Sequence, residues 1–205
     1  MLIFSRERLA FVATPKTGTT AFEMALKPRA DIVFAKHRKH ITAQKYTNRV
    51  APWLERMFDI RPESMAVMRD PVEQIRSWYR YRSGPRQAGT PVSTGGCSFD
   101  DFVRAVISDD PPPFAQIGSQ FNFLTADGEP AVHHLFAYEN QPVFRAFLEQ
   151  RFGTVEIKQK NVSPPADAPL SAEVEAALRA ARAPEFALYD RLIAAGGHLR
   201  TPIGG

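Results

Sequence analysis

Residues 9–27 read Leu9-Ala10-Phe11-Val12-Ala13-Thr14, then Pro15-Lys16-Thr17-Gly18, then Thr19-Thr20-Ala21-Phe22-Glu23-Met24-Ala25-Leu26-Lys27. The first six form a short apolar run, the pattern of a strand buried on both faces. The last nine read as a helix opening near Thr19. A strand–loop–helix unit aims free backbone N–H groups and the positive helix end at one point, a natural anion site. Lys16 adds a full charge, Thr17, Thr19 and Thr20 add hydroxyl donors, and Gly18 permits close backbone approach. On these residues alone, a plain turn with a capping threonine is the alternative.

Working outward, the same alternation recurs. Ala30 to Ala35 reads as a second strand, followed by a polar loop and a helix running toward Met57 with a kink or break at Pro52. Ser64 to Met68 reads as a third strand. Arg69-Asp70-Pro71 follows it and opens a helix with Asp70 as N-cap and Pro71 at the first helical position. Residues 84–97 are loop-like, and Ser98 caps an amphipathic helix. Val132 to Tyr138 is a fourth strand, Gln141 to Phe152 a helix, and residues 154–158 a short fifth strand. Ser171 to Ala195 makes one or two helices broken near Pro184, and a Gly-rich tail leaves His198 exposed. Alternating strands and helices predict an α/β fold with a central, mainly parallel sheet. Such sheets bind ligands at the carboxyl ends of their strands.

The chain has 205 residues, of which 44 % are apolar and 23 % charged, so it suits one globular domain. A single cysteine, Cys97, excludes an internal disulfide framework and a multi-cysteine zinc site. No apolar run is long enough to span a bilayer, and no secretion signal is visible, so a cytoplasmic protein without membrane insertion is expected. The net charge of +4 is mild; it suits a small anionic ligand better than nucleic acid.

The second motif, Arg69-Asp70-Pro71 continuing Val-Glu-Gln-Ile-Arg-Ser77-Trp78-Tyr79, places an Arg at a strand end and a Ser about two helical turns on. Together they suit a second phosphate; Arg69 paired with a carboxylate and a surface Ser77 is the alternative. A nucleoside-triphosphate loop of the G-x-x-x-x-G-K-[ST] form is absent, because the Lys precedes the Gly by two residues.

Taken as a pair, Pro15-Lys16-Thr17-Gly18-Thr19-Thr20 and the Arg69-Asp70-Pro71…Ser77 segment resemble the sulfotransferases that use 3′-phosphoadenosine 5′-phosphosulfate (PAPS), the bacterial and Golgi types most closely. The resemblance continues weakly through Lys39-His40-Ile41-Thr42-Ala43, Gln120 to Leu124, Phe136 to Asn140 and Asn161-Val162-Ser163. It implies one P-loop-NTPase-like domain with three α/β/α layers: a nucleotide core about residues 9–83 and 131–165, an acceptor-side insertion about 84–130 and C-terminal helices about 170–196. It further implies that Lys16 stabilises charge on the leaving phosphate and that Thr17, Gly18, Thr19 and Thr20 donate to the 5′-phosphosulfate. Arg69 and Ser77 would bind the 3′-phosphate, and Lys160 and Asn161 would close over the nucleotide. PAPS is then the sulfuryl donor and adenosine 3′,5′-bisphosphate the product, the acceptor is a hydroxyl or amine, and no metal is needed.

An acceptor hydroxyl requires a base, and His suits that task near neutral pH. His40 is favoured because it follows the second strand near the expected site, with His37 next. His133 and His134 sit in a strand and read as structural. Trp78, Tyr79 and Tyr81 read as helix packing, and Lys36, Arg38, Lys39 and Lys45 as a basic surface. A kinase with a divergent loop using ATP and Mg²⁺, or a non-catalytic anion-binding module, are the alternative functions.

Overall fold

The computed structural model describes residues 1–156 and 168–203, apart from the side chain of His37. Six described strands form one mixed sheet: β1 (Leu2–Phe4), β2 (Leu9–Val12), β3 (Ile32–Val33), β4 (Glu63–Met68), β7 (His134–Ala137) and β8 (His198–Arg200). Their spatial order is β3-β1-β2-β4-β7-β8. A two-stranded hairpin of β5 (Thr125–Ala126) and β6 (Glu129–Pro130) stands apart.

The expectation of a mainly parallel sheet is corrected. Only β2–β4 and β4–β7 pair in parallel, whereas β1 pairs antiparallel with both β2 and β3, and β7 pairs antiparallel with β8. The N-terminal Leu-Ile-Phe run is a strand turned back by residues 5–8, with Arg8 at φ 51°. A three-residue strand is too short to carry a periodicity signal, so its pairing became visible only in three dimensions. The second expected strand shrinks to the edge pair Ile32–Val33. Residues 154–156 form no strand, and the rest of the fifth expected strand lies outside the described residues.

The strands β2, β4 and β7 are buried at almost every position, because apolar side chains leave both faces of the sheet. On one face Phe11, Met65, Val67 and Phe136 pack on Phe22 and Leu26 of α1 (Thr19–Leu26) and on Phe144, Phe147 and Leu148 of α7 (Gln141–Phe152). The Phe136 and Phe144 rings lie 4.8 Å apart. On the other face Ala10, Val12, Ala66, Met68 and Leu135 meet four helical segments: α2 (Ala43–Lys45), α3 (Ala51–Phe58), α6 (Gln120–Leu124) and α9 (Ala183–Ala194). A π-helical turn, Tyr46–Val50, joins α2 to α3 without a gap, so the expected helix runs on from Ala43 to Phe58 and its irregularity falls just ahead of Pro52 rather than as a break there. Burying a large apolar side chain is worth roughly 1.5–3 kcal/mol, which makes this double-sided core the main stabilising element.

A third cluster forms a lobe beside the sheet. It joins α4 (Pro71–Arg82), α5 (Phe99–Val106), α8 (Ala172–Ala181) and the start of α9 through Val72, Ile75, Phe102, Val103, Leu178 and Phe186. Asp70 caps α4 by accepting from Glu73 N, and Ser98 caps α5, as their sequence positions predict. Buried Arg82 donates to the carbonyls of Pro113, Phe114 and Gln116 and so pins the segment ahead of α6. Among the described residues no helix is long and apolar enough to cross a membrane.

The connection after β2 leads to β3 on one side of the sheet, and that after β4 leads to β7 on the other. Neighbouring parallel strands whose connections diverge open a crevice at their carboxyl ends. Residues 13–18 and 69–70 border this crevice, joined by Tyr138 and Glu139 from the end of β7.

Candidate functional site

The loop after β2 is bent by two residues of positive φ, Lys16 at 65° and Gly18 at 68°. For lysine this conformation is costly, whereas glycine adopts it freely. Gly18 has a second constraint: a Cβ there would lie 2.8 Å from Cε2 of Tyr138. Gly18 also serves as the N-cap of α1 without any side-chain cap. Among the described residues, the backbone N–H groups of Lys16, Gly18, Thr19 and Thr20 donate no hydrogen bond. The start of α1 is therefore an uncapped cluster of donors with the helix's positive end behind it. The Thr17 hydroxyl instead donates to Thr14 O at 3.0 Å and braces the loop, and Thr19 is buried. Gln74 of α4 donates to Pro15 O at 3.4 Å.

Lys16 has no carboxylate within ion-pair distance among the described residues. Its Nζ lies 4.2 Å from the ring centroid of Tyr81 and 5.4 Å from that of Trp78. Burial, and then the positive charge of Arg69, pull its pKa down to about 8. Lys16 still carries its proton at neutral pH, but as a desolvated cation beside another cation, an arrangement that a bound anion relieves.

Arg69 is only 19 % exposed and is held on all sides. Its backbone N–H donates to Gln120 Oε1 and its carbonyl accepts from Gln120 Nε2, both at 2.9 Å. The guanidinium lies 4.7 Å from the Tyr138 ring centroid. It pairs with Glu73 at 3.5 Å and Glu139 at 4.0 Å. Glu73 is also paired with Arg76, and Glu139 accepts from Asp70 N at 3.1 Å and from the Tyr189 hydroxyl at 2.8 Å. The carboxylate pairing foreseen as the alternative for Arg69 is thus present. Ser77 is half-buried in α4, and its hydroxyl makes no hydrogen bond among the described residues.

His40 reaches the opposite side of the loop, with Nδ1 2.7 Å from Ala13 O. A carbonyl only accepts, so Nδ1 carries the hydrogen and Nε2 of the neutral ring keeps its lone pair. Burial of the ring lowers its pKa below the ordinary histidine value, against the opposing pull of the Ala13 hydrogen bond. At neutral pH the side chain is a free base with a fixed tautomer. Lys39 beside it is tied to Glu23 at 2.6 Å, which removes one charge from the expected basic surface. The side chain of His37, and Lys160 and Asn161 entirely, lie outside the described residues.

The remaining histidines sit toward the other end of the sheet. His133 Nδ1 accepts from Ser64 N at 2.9 Å. His134 Nδ1 is 3.0 Å from His198 Nε2, and its Nε2 is 3.4 Å from Glu63. The expectation that His198 is exposed is corrected: it lies in β8 with its ring stacked on Phe136 at 4.2 Å.

Gln120, Tyr138, Glu139 and Tyr189 belong to the site but were not singled out as site residues from the sequence. Tyr138 and Glu139 follow directly on an apolar strand, the one local signal that could have found them. Gln120 opens the Gln120–Leu124 segment of the resemblance but, like Tyr189, follows no apolar strand. Among the described residues no three His, Cys, Asp or Glu side chains are grouped to hold a metal ion. No protein-family model, curated protein or solved structure matches the chain.

Proposed function

We propose that this protein transfers a sulfuryl group from PAPS to a hydroxyl or amine acceptor, on a P-loop-like nucleotide-binding scaffold. The observation that carries the reading is Lys16: a charged, desolvated ammonium that, among the described residues, has no carboxylate partner and lies next to an uncapped helix start with free N–H donors. Sulfuryl transfer, like phosphoryl transfer, depends mainly on positioning and on charge stabilisation, which such a cradle supplies. Lys16 and the N–H groups of Gly18, Thr19 and Thr20 would hold the 5′-phosphosulfate. Arg69 and Ser77, one strand over, would hold the 3′-phosphate. His40 Nε2 would accept the acceptor proton as the new S–O bond forms and the S–O bond to the 5′-phosphate breaks, leaving negative charge on that phosphate beside Lys16.

A groove of about 600 Å³ between α5, residues 111–122 and the α8–α9 junction backs onto Gln120 through Glu185, which accepts from Ser119 Oγ and Gln120 N. In this reading it receives the acceptor. The lobe that walls it combines apolar Val106, Ile117 and Phe121 with the Arg182–Glu185 ion pair.

Adenosine 3′,5′-bisphosphate is expected to raise the thermal unfolding midpoint, and to do so more than ATP with Mg²⁺. A larger shift with ATP and Mg²⁺ moves the assignment to a kinase, and no shift with either nucleotide removes it. With PAPS and a panel of glycans, lipids and small alcohols, mass spectrometry is expected to reveal an acceptor gaining the mass of SO₃. His40→Ala then keeps nucleotide binding and loses this transfer; unchanged turnover in that variant rejects His40 as the base.

A further inference from the structure

We propose that Tyr81 and Trp78 are positioning residues for Lys16, holding its ammonium on their π faces so that it stays ordered while its charge remains available to an anion in the loop. The inference rests on the reading of that loop as an anion cradle and assigns a role to two residues that read as helix packing.

The geometry follows from α4. Gln74, Trp78 and Tyr81 are spaced i, i+4, i+7 and lie on one face of the helix. Gln74 holds the loop through Pro15 O, and the next two turns present Trp78 and then Tyr81 to Lys16. The two rings meet edge to face with centroids 6.0 Å apart. The Arg82 guanidinium lies 5.2 Å from the Trp78 ring centroid, while donating to three carbonyls, so the indole is fixed from a second direction. Tyr81 is 49 % exposed, too open for its contact with Lys16 to be a by-product of core packing. The Trp78 indole N–H is buried without a hydrogen-bond partner among the described residues, so its polar edge is not what places the ring there.

The chemistry favours rings over a carboxylate here. An aromatic face attracts a cation through its quadrupole and brings no counter-charge. A carboxylate would hold Lys16 as firmly but would cancel the charge and compete with an incoming anion. The positive φ of Lys16 directs its side chain out of the ordinary path, and a partner on a neighbouring helix offsets that cost.

The test is a double-mutant cycle of Lys16→Met and Tyr81→Leu, with Tyr81→Phe as the conservative control. Binding of adenosine 3′,5′-bisphosphate is measured by calorimetry, and urea unfolding is measured without nucleotide. Tyr81→Leu is expected to weaken the nucleotide about fivefold in the wild-type background and not at all in the Lys16→Met background, while Tyr81→Phe stays within about twofold of wild type. Without nucleotide, the two substitutions are expected to shift the urea midpoint non-additively. Equal effects of Tyr81→Leu in both backgrounds, or none in either, overturn the inference. If the wild-type protein binds no nucleotide, the functional reading fails, and additivity in the ligand-free unfolding cycle then decides the role of the rings by itself.

Discussion

Lys16 and Arg69 stand at the ends of adjacent parallel strands, and the protein holds them by opposite means. Lys16 leans on two aromatic faces and has no carboxylate at ion-pair distance among the described residues; Arg69 stands between Glu73 and Glu139 and is stacked on Tyr138. The first arrangement orders a cation and leaves its charge uncompensated. The second sets two carboxylates, at 3.5 and 4.0 Å, beside the cation, so a phosphate arriving there competes with them. In the proposed reading, the β2 end of the crevice offers an unopposed charge to an anion, whereas at the β4 end two carboxylates compete for the cation. Both carboxylates stand at ion-pair distance without a hydrogen bond to the guanidinium, and its buried Nε has no hydrogen-bond partner among the described residues, so affinity at the Arg69 end depends on how well an arriving anion competes with them.

Several measurements break or sharpen this contrast. Gly18→Val should have the largest effect, because it forces a β-branched residue into φ 68° and drives a Cβ into Tyr138. Calorimetry should detect no nucleotide binding, and urea unfolding should show a loss of about 2–3 kcal/mol. Intact affinity in this variant would remove the loop from the site. Arg69→Ala should weaken adenosine 3′,5′-bisphosphate about 100-fold, the scale of a lost charged hydrogen-bonded contact, but leave adenosine 5′-phosphosulfate, which lacks the 3′-phosphate, nearly unchanged. Equal losses for both ligands would mean that Arg69 does not read the 3′ end.

The Lys16 end should also titrate early. With its pKa near 8, the ammonium is lost as the pH rises through 8 to 9, well below the range of an ordinary lysine. Nucleotide affinity should fall several-fold across that interval in wild type and stay flat in Lys16→Met. Glu73→Gln removes one competitor for Arg69 and should tighten the bisphosphate nucleotide about threefold; in an Arg69→Ala background the same change should do nothing. Weaker binding in Glu73→Gln would show that the carboxylate supports Arg69 rather than competing for it.

The smallest effect on binding should come from the far end of the sheet. Burial holds His198 near a pKa of about 4 and lowers that of His134 as well. In the unfolded chain both titrate near 6.5, so between these values the unfolded state binds more protons. The stabilising contribution of the neutral pair is complete above about pH 6.5 and is lost as the pH falls toward 4. His198→Phe should make this acid loss shallower in urea titrations while leaving nucleotide affinity at pH 7.5 as it was. A change in affinity would tie this pair to the site after all.

Several of these residues were readable before any fold was known, because their signals are local. The candidate anion loop lies within one apolar strand, one glycine and one helix start. Asp70 and Pro71 mark the beginning of α4 through capping chemistry that needs only neighbours in the chain. His40 was placed near the site by its position after a strand, and its ring does reach Ala13 O. Other features were not legible. Beyond Glu73, four residues on in the chain, the partners of Arg69 come from residues 120, 138 and 139, with Tyr189 joined only through Glu139, and no local pattern links them. The use of Trp78 and Tyr81 was equally hidden, since an aromatic stripe at helical spacing has the same appearance whether it faces a core or a lysine.

By itself, then, the amino-acid sequence determined where the strand-to-helix turns fall and which of them carry cations, since apolar runs, caps and glycine act over a few residues. Only the tertiary structure decided that the sheet is mixed, that β8 returns His198 to its edge, and that one cation rests on rings while the other sits between carboxylates. Those outcomes depend on contacts between segments distant in the chain, whose register and orientation are set by packing the whole core at once.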